Sequence, residues 1–496
     1  MEALPIAVYW ALALWGLFSR RPVLIWLFFG ILPFGMLAVV PPRFTGGLSL
    51  PGSSMTAALI VVRQIVFYRH GLEAMARTAL RGEGLLLSLF WLVGMVVTLF
   101  VPRLFAGQVD IVPMAVSDFM EIAPLAPTAQ NFSQLAYVTV SVFSVFAFAR
   151  LFRTPKMLSV LIRGMMFCAT VTIVTGVLSY LAGFLPLDPL LDPFKTAQYV
   201  LLDNAVLPDG TRRVTGLMPE ASAYGSLVLA LLSCLYFLRR AIDDPIQRFR
   251  ANVLIVVLAV LLVMSTSSAG YIGIGVLACL VGLDWFTRAF RINRPRSVRR
   301  GVRQEFFLAL AGIGFLAVVV MATPGVFDPV MERLDEMVFS KTESNSYLER
   351  SMWTRTSLEA GFDSYLVGVG LGSTRTSNFA VSILASTGLL GFLFYFAFVL
   401  RLLLTTPTDD DRRIQAIASA LKWSFVPSFA VSLLIATTPD FGVFEALRFG
   451  VLLALLQGVA PQPAGSENRY SPTPVLSPPA RPGTSLQLRL RSGPSE

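Results

Sequence analysis

The chain has 496 residues, of which 55% are hydrophobic and 14% are charged, and its formal net charge is +10. A soluble globular domain does not combine so few charges with so much apolar surface, so that class is excluded. Binding to nucleic acid is excluded as well, because it needs a soluble basic surface, whereas here the basic residues lie between apolar segments. The composition therefore predicts a protein embedded in a lipid bilayer.

The apolar residues form segments of about 15 to 25 residues, long enough as helices to cross a hydrocarbon core of about 30 Å. These segments must be helical because lipid cannot satisfy backbone polar groups, so we predict an all-α, polytopic transmembrane bundle of about 12 to 13 helices. The bundle is expected to occupy residues 1–459. The predicted spans are 4–18, 22–40, 53–68, 85–104, 133–149, 157–183, 223–238, 252–266, 268–287, 306–323, 379–403, 423–437 and 443–458.

The segment from Arg288 to Arg303 carries seven arginines and no acidic residue. Because basic loops remain in the cytoplasm, this segment sets the predicted orientation. Counting alternate spans from it places five further basic stretches on the same side: 20–21, 69–81, 150–156, 239–250 and 401–422. The tail 460–496 is rich in Pro, Ser, Gly and Arg, and is predicted to be a disordered cytoplasmic segment.

Three longer connections then face outward: 106–132, 186–222 and 325–378. Two of them have the Pro, Gly, Asp and Asn content of loops. The third, the large outer loop, is expected to be partly helical because Val330 and Leu334 recur at helical spacing. The last two connections are the main predicted outer loops, and they carry the candidate functional residues.

The first candidate group lies directly before a predicted membrane helix. Arg213 and Glu220 bracket a turn at the boundary between water and lipid, where a guanidinium can hold a diphosphate and a carboxylate can accept a proton. Arg212 and Ser222 are the candidate substrate-binding residues beside them. The alternative is an ordinary loop in which Ser222 caps the helix and Glu220 lies near its positive end.

The second candidate group lies in the large outer loop. On a helix, Arg350, Trp353 and Ser357 share one face, so a cation and an aromatic plane suited to a sugar diphosphate would lie side by side. Arg355 follows on the same helix. The alternative is a surface helix whose Trp353 anchors at the lipid headgroups.

The glycine run from Gly368 to Gly372 also has two interpretations. Its backbone N–H groups, with Gly370 and Gly372 at the centre, can form a nest for a phosphate, or the glycines can let the chain approach a neighbouring helix closely. A dinucleotide fingerprint is excluded because there is no preceding strand and no βαβ unit.

Three charged residues, Asp440, Glu445 and Arg448, lie at the predicted outer end of the last helix. They either complete an external polar site or pair with one another. The only histidine, His70, lies in a predicted cytoplasmic loop, so an external general base must be a carboxylate or none exists. The three cysteines lack metal-ligand spacing and no carboxylate cluster demands a divalent ion, so no metal or cofactor is predicted.

Several motifs together resemble the O-antigen polymerase and ligase family of bacterial glycan-assembly enzymes. Arg213-Val-Thr-Gly-Leu-Met-Pro-Glu220-Ala-Ser is similar to the family pattern Arg-x-x-Gly-x-x-x-Glu-(Pro/Ala)-(Ser/Asn). The series Arg350-Ser-Met-Trp353, Gly368-Val-Gly-Leu-Gly-Ser373 and Thr387-Gly-Leu-Leu-Gly391 is similar to the family's motifs around its large periplasmic loop. The turn from Met264 to Gly270 is also similar, with Ser268 where the family usually has Arg. The resemblance covers the chain from about Pro186 to about Leu403.

One departure favours polymerase over ligase. Ligases of the family typically carry His-Asn after the glycine run, and this chain has Ser377-Asn378. The resemblance implies a glycosyltransferase at the periplasmic face of the bacterial inner membrane, polymerising undecaprenyl-diphosphate-linked oligosaccharides into O-antigen, capsule or exopolysaccharide. The implied catalytic residues are Arg213 and Arg350 on the diphosphate and Glu220 on the acceptor. The implied substrate-binding residues are Arg212, Ser222, Trp353, Arg355, Gly370, Gly372 and Asn378.

Three alternatives remain open. A ligase that transfers glycan to lipid A core or to protein differs only in the acceptor. A flippase or other transporter would place polar groups on broken helices near the middle of the membrane. A non-catalytic scaffold of a polysaccharide export machine is the third. A chain-length regulator and a flippase are the protein partners that the polymerase interpretation implies.

Overall fold

The computed structural model describes residues 3–40, 50–68, 70–114, 121–197, 213–290, 345–407 and 409–458. Within these ranges the chain is mainly helical, with almost no sheet. Its helices are α1 Ala3–Phe18, α2 Val23–Ile31, α3 Gly52–Val66, α4 Gly71–Ala79, α5 Gly82–Leu104, α6 Ala129–Leu151, α7 Pro155–Leu181, α8 Asp188–Leu191, α9 Ala221–Leu238, α10 Pro245–Met264, α11 Ser268–Phe290, α12 Asn345–Asp363, α13 Phe379–Leu404, α14 Arg412–Ile435 and α15 Gly442–Leu456. Two short antiparallel pairs join β1 Ala38–Val40 to β2 Leu50–Pro51, and β3 Asp110–Ile111 to β4 Ala123–Pro124.

Eight of the described helices, α5, α6, α7, α9, α10, α11, α13 and α14, are long and apolar enough to cross a membrane. The predicted all-α polytopic bundle is therefore confirmed, and the chain is a multi-pass membrane protein. Helices α1 and α3 are apolar but shorter, with 16 and 15 residues. The predicted span 306–323 and the tail 460–496 lie outside the described residues.

The predicted span 22–40 is wrong. Helix α2 ends at Ile31, and the chain turns and continues as strand β1. Pro33 has no N–H to continue the helix. A Cβ on Gly35 would lie 2.8 Å from Met218 Sδ, and the Met36 amide donates to Leu217 O at 3.0 Å. Residues after Ile31 therefore pack against the loop that precedes α9 instead of continuing as a helix.

Helix α15 lies at the centre of the bundle, with most of its side chains buried. It packs along α6, where Gly450 allows close approach because a Cβ there would lie 2.6 Å from Phe148 Cβ. The pairs α5–α13 and α9–α14 form the other extensive helix contacts. The largest hydrophobic cluster is continuous across these helices.

One end of the bundle, which we call the basic end, is where Arg153, Arg240 and Arg413 lie. Arg240 Nη1 donates to Asp284 at 2.9 Å, and Arg413 Nη2 donates to Ser159 Oγ at 3.0 Å. The opposite end, which we call the loop end, contains Ser265 and Ala436. Helices α9 and α14 run antiparallel between the two ends, since Cys234 Sγ lies 3.3 Å from Ser424 Oγ, whereas Gly273 of α11 lies against both Leu229 and Val431.

Helix α13 is interrupted at Gly388, whose φ of 68° and ψ of −174° are not helical. The loop before α13 closes this break. Val369 N donates to Ala385 O at 2.7 Å, and Leu389 N donates to Leu366 O at 2.9 Å. Irregular backbone inside a membrane bundle is tolerated where protein groups satisfy it. At this break the loop therefore packs against the helix and satisfies its backbone groups.

Replacing Gly388 by Ala should destabilise the protein by about 2 kcal/mol or more, because positive φ strains a residue with a Cβ and crowding adds to that cost. The added Cβ would collide with Val367 O. We expect a lower midpoint of thermal unfolding in detergent, measured by tryptophan fluorescence. Gly275→Ala in α11 is the matched control, because no atom lies within 4 Å of its added Cβ. A Gly388→Ala midpoint equal to that of Gly275→Ala would contradict this expectation.

Candidate functional site

Arg213 holds the turn between α10 and α11. Its Nε donates to Ser265 O at 3.3 Å and to Thr266 Oγ1 at 3.1 Å, and its Nη2 donates to Thr266 O at 3.0 Å. Thr266 has a φ of 45°, an uncommon conformation for a β-branched residue. The pKa of Arg213 is lowered by burial, and the nearby Glu220 opposes that shift. The guanidinium is thus fixed in place, and Nη1 has no hydrogen-bond partner among the described residues.

Glu220 occupies the N-cap position of α9 in an extended conformation. Ser222 lies in the first turn, where its hydroxyl donates to Glu220 Oε1. The alternative in which Ser222 is the cap is therefore wrong. Glu220 does lie at the positive end of the helix dipole, as expected for a carboxylate there. Arg212, the fourth candidate of this group, lies outside the described residues.

The turn between Arg213 and Glu220 is fastened to α7. Gly216 has a φ of 58°, and the ring of Tyr224 packs against it. The Tyr224 hydroxyl donates to Thr172 O at 3.0 Å. Thr215 and Ser179 join their hydroxyls at 3.1 Å. Gly216 is therefore required both by the turn and by the aromatic ring, which explains its place in the motif.

The second group forms around Trp353 on α12. Trp353 is buried, and Arg375 lies over its ring with Cζ 5.1 Å from the ring centroid. Arg375 Nη2 donates to Met114 O at 3.3 Å, and its backbone N donates to Val112 O at 2.8 Å. Ser357, one turn after Trp353, donates to Arg375 O at 2.9 Å. Burial lowers the pKa of Arg375. A cation and an aromatic plane do lie side by side here, but the cation is Arg375.

Sequence reasoning missed Arg375. The available signal was its isolation in the sequence, because it is the only basic residue between Arg355 and Arg401 and lies three residues after Gly372. Arg350 lies on the same helix face as Trp353, one turn earlier, and is half-buried. The Arg350 carbonyl accepts from Thr354 Oγ1 at 2.9 Å, but its guanidinium makes no hydrogen bond or ion pair within the described part of the chain. Arg355 is instead exposed and pairs with Glu359 at 2.9 Å.

The glycine run packs between helices. A Cβ on Gly370 would lie 2.9 Å from Pro102 Cγ in α5, and one on Gly372 would collide with Gln130 O in α6. Gly370 N donates to Ser386 O at 3.1 Å. Leu371 N donates to Thr98 Oγ1 at 3.0 Å. The amides of Gly370 and Leu371 already donate to protein acceptors. The geometry therefore favours glycines that let the chain pack closely against neighbouring helices over a nest of N–H groups for a phosphate.

Asn378 and Ser377 also have structural partners. Asn378 caps α13, and its Oδ1 accepts from Val381 N at 3.1 Å. The Ser377 hydroxyl donates to Leu434 O at 3.1 Å, at the end of α14. Helix α11, which begins after the turn that Arg213 holds, approaches the same part of α14, since a Cβ on Gly273 would lie 2.9 Å from Val431 Cγ2. Both candidate groups are therefore linked to the last turns of α14, the first through α11 and the second through the segment that follows the glycine run. No hydrogen bond or ion pair connects Arg213 with Arg350 in the described ranges.

The charged residues near α15 separate into two sets. Arg448 is fully buried, pairs with Glu445, and donates from Nη1 to Ser424 O at 2.8 Å. These two residues therefore pair with each other. Asp440 lies in the turn before α15, where its Oδ1 accepts from Gly442 N at 3.1 Å. Ser141 lies close to the Asp440 carboxylate.

Burial raises the pKa of Asp440, with smaller opposing effects from Ser141 and Gly442. Between the ordinary pKa of the unfolded chain and the raised pKa of the folded protein, only the folded protein holds the proton. The free energy of unfolding should therefore fall as pH rises through that window. Asp440→Asn should remove this dependence, as measured by the thermal midpoint across the acidic and neutral pH range.

The matched control for that measurement is Asp192→Asn, since Asp192 is exposed and paired with Lys195. This variant should keep the pH dependence of the natural chain. An Asp440→Asn protein whose midpoint still falls with pH as in the natural chain would refute the assignment to Asp440.

Among the residues that the structure describes, no three His, Cys, Asp or Glu side chains are grouped to hold a metal ion. Comparison of the chain with protein-family models and with curated proteins finds no match. The fold and these contacts define a class, a multi-pass α-helical membrane protein with two polar groups at one end of its bundle.

Proposed function

We propose that this protein is a membrane glycosyltransferase that polymerises undecaprenyl-diphosphate-linked oligosaccharides into O-antigen, capsule or exopolysaccharide. The observation that carries the proposal is that both motif groups are linked to the last turns of α14 at the loop end. Arg213 holds the turn that leads into α11, which packs on α14, and Arg375 lies over Trp353 in the segment that bonds to Leu434. On this proposal the loop end faces the periplasm of a bacterial inner membrane.

The reaction needs a group that stabilises the leaving diphosphate and one that accepts a proton. The acceptor hydroxyl attacks the anomeric carbon, the bond from that carbon to the diphosphate oxygen breaks, and undecaprenyl diphosphate leaves with the electron pair. Arg213 is held rigidly by Thr266, and a preorganised cation stabilises developing charge most effectively. Glu220, next to the same turn, takes the proton of the acceptor hydroxyl.

The second group suits the sugar. Trp353 is buried beneath Arg375 and holds this group together, whereas the guanidinium of the half-buried Arg350 on the same helix face has no competing partner in the described ranges. A guanidinium without an internal partner is available for a charged or hydroxylated ligand. The polyprenyl chain stays in the bilayer, so only the sugar and the diphosphate need to reach these residues.

The position of Ser377 supports polymerase over ligase. Its hydroxyl is used in a hydrogen bond to Leu434 O. The histidine that ligases of the family typically carry at this position is replaced by serine in this chain. Acceptor activation then depends on a carboxylate, for which Glu220 is the candidate.

The transporter alternative draws support from the break in α13 at Gly388. However, the backbone groups beside that break bond to Leu366 and Val369 of the preceding loop. A substrate site on a broken helix needs such groups to face a cavity. The packing at Gly388 therefore favours a structural role for the break over a transport site. The enzyme remains the better proposal.

The decisive experiment incubates purified protein with lipid-linked repeat units alone and separates the products by size. A ladder of lengthening glycans is expected. Glu220→Gln should lose the ladder, whereas Glu359→Gln, which alters an exposed carboxylate paired with Arg355, should keep it. A single transfer that requires an added acceptor would replace polymerase by ligase. Failure to form any glycosidic bond with authentic repeat units would refute the enzyme.

A further inference from the structure

Three arginines lie at the basic end of the bundle, and two of them contact one tyrosine. Arg63 from α3 and Arg150 from α6 both lie against the ring of Tyr68, with Cζ atoms 5.8 and 5.4 Å from its centroid. Arg153 lies one turn after Arg150. Two guanidinium groups of the same charge thus lie against one aromatic ring.

These arginines have few internal partners. Arg63 donates to Ser19 O, and Arg153 donates to Gln457 Oε1, so both acceptors are uncharged. Arg150 Nη1 and Arg153 Nε are buried and have no hydrogen-bond partner. Unsatisfied donors on buried cations are costly, and a bound anion would satisfy them.

No carboxylate neutralises this cluster within the described residues. Glu73, the acidic residue of the adjacent helix α4, is exposed and pairs with Arg77 at 2.7 Å and with His70 at 3.1 Å. Burial and the neighbouring charge of Arg150 lower the pKa of Arg153. The cluster therefore carries an uncompensated positive charge in a partly buried setting.

The surface beside the cluster is apolar. Phe18 and Phe67 meet with ring centroids 5.4 Å apart; Phe18 and Val66 are largely exposed and Phe67 is 46% exposed. An exposed apolar patch next to a cluster of cations at the end of the bundle matches a phospholipid, whose phosphate and acyl chains need these two surfaces.

We infer that Arg150, Arg153 and Arg63, with Tyr68, form a binding site for the phosphate of an anionic phospholipid. The guanidinium N–H groups donate to the phosphate oxygens, and the acyl chains cover Phe18, Val66 and Phe67. Charge-assisted hydrogen bonds from arginine to phosphate are among the stronger contacts that proteins make. This site lies at the opposite end of the bundle from the candidate glycosyltransferase residues and does not depend on the proposed activity.

The test titrates purified protein in a neutral detergent with phosphatidylglycerol, phosphatidylcholine or inorganic phosphate, and follows lipid adducts by native mass spectrometry together with the thermal midpoint. Saturable binding and stabilisation by phosphatidylglycerol alone are expected. Arg150→Gln combined with Arg153→Gln should weaken that binding by about 10-fold or more, which corresponds to loss of one charged hydrogen bond. Arg163→Gln, which removes an exposed arginine of α7, is the matched control and should bind as the natural chain does.

Equal stabilisation by inorganic phosphate would show that the site takes a free anion, and equal binding of phosphatidylcholine would show that charge does not select the ligand. Either result would overturn the lipid assignment, as would unchanged binding in the double variant. Should the double glutamine variant not fold, Arg150→Lys with Arg153→Lys keeps both charges without the planar fork. That variant should bind phosphatidylglycerol measurably less than the natural chain, and equal binding would count against the site.

Discussion

Replacing Arg213 by Ala is expected to reduce polymer formation by about 100-fold or more, the loss typical when a preorganised donor to a developing negative charge is removed. Arg213 lies where two structural features coincide. Its guanidinium is fixed by Ser265 and Thr266, and Glu220 lies at the start of the next helix. The measurement is the rate of chain extension on lipid-linked repeat units by purified protein.

Loss of activity through misfolding must be separated from loss of the catalytic cation, because Arg213 also holds the turn between α10 and α11. Arg213→Lys keeps the charge and should retain the fold, yet it cannot present two parallel donors to a diphosphate. We therefore expect Arg213→Lys to match the natural thermal midpoint more closely than Arg213→Ala while remaining strongly impaired in extension. Arg77→Ala, at an exposed arginine paired with Glu73, should leave extension unchanged. Normal extension by Arg213→Ala would refute the assigned role.

The helical bundle could be predicted from the sequence because its cause is local. A run of apolar residues long enough to cross lipid must form a helix, whatever its neighbours are. The same argument failed at residues 32–40, where Pro33 and the packing of Gly35 against Met218 end the helix early. Hydropathy alone does not register a contact between residues that lie almost two hundred positions apart.

The candidate site could be predicted only in part. Helical spacing correctly placed Trp353 and Ser357 on one face of α12. The cation over the Trp353 ring is Arg375, which comes from a different segment, so no periodicity within α12 indicated it. The glycines of the run were ambiguous for the same reason. Their close approach to Pro102 and Gln130 depends on helices that are distant in sequence.

The buried pair of Arg448 and Glu445 gives the second large prediction. Arg448→Ala should destabilise the protein by about 3 to 5 kcal/mol, since removing one partner leaves a charge buried without compensation. Arg448 is completely inaccessible, and its side chain also contacts the rings of Phe444 and Phe425. The expected result is a large fall in the thermal midpoint, or loss of folded protein, without any direct contact to the candidate site.

The effect of an uncompensated buried charge can be separated from the effect of lost packing by removing both charges together. Arg448→Met with Glu445→Gln fills a similar volume and leaves no buried ion, and replacing a buried pair in this way is often close to neutral. The double variant should therefore be more stable than Arg448→Ala and more stable than Arg448→Met alone, in which Glu445 stays ionised beside an apolar side chain. A double variant as unstable as Arg448→Met would mean that the bond from Arg448 to Ser424 O, which tethers α15 to α14, matters more than the charge of Glu445. The ordering of these three midpoints thus distinguishes charge compensation from a helix-to-helix hydrogen bond as the reason for an arginine at the centre of the bundle.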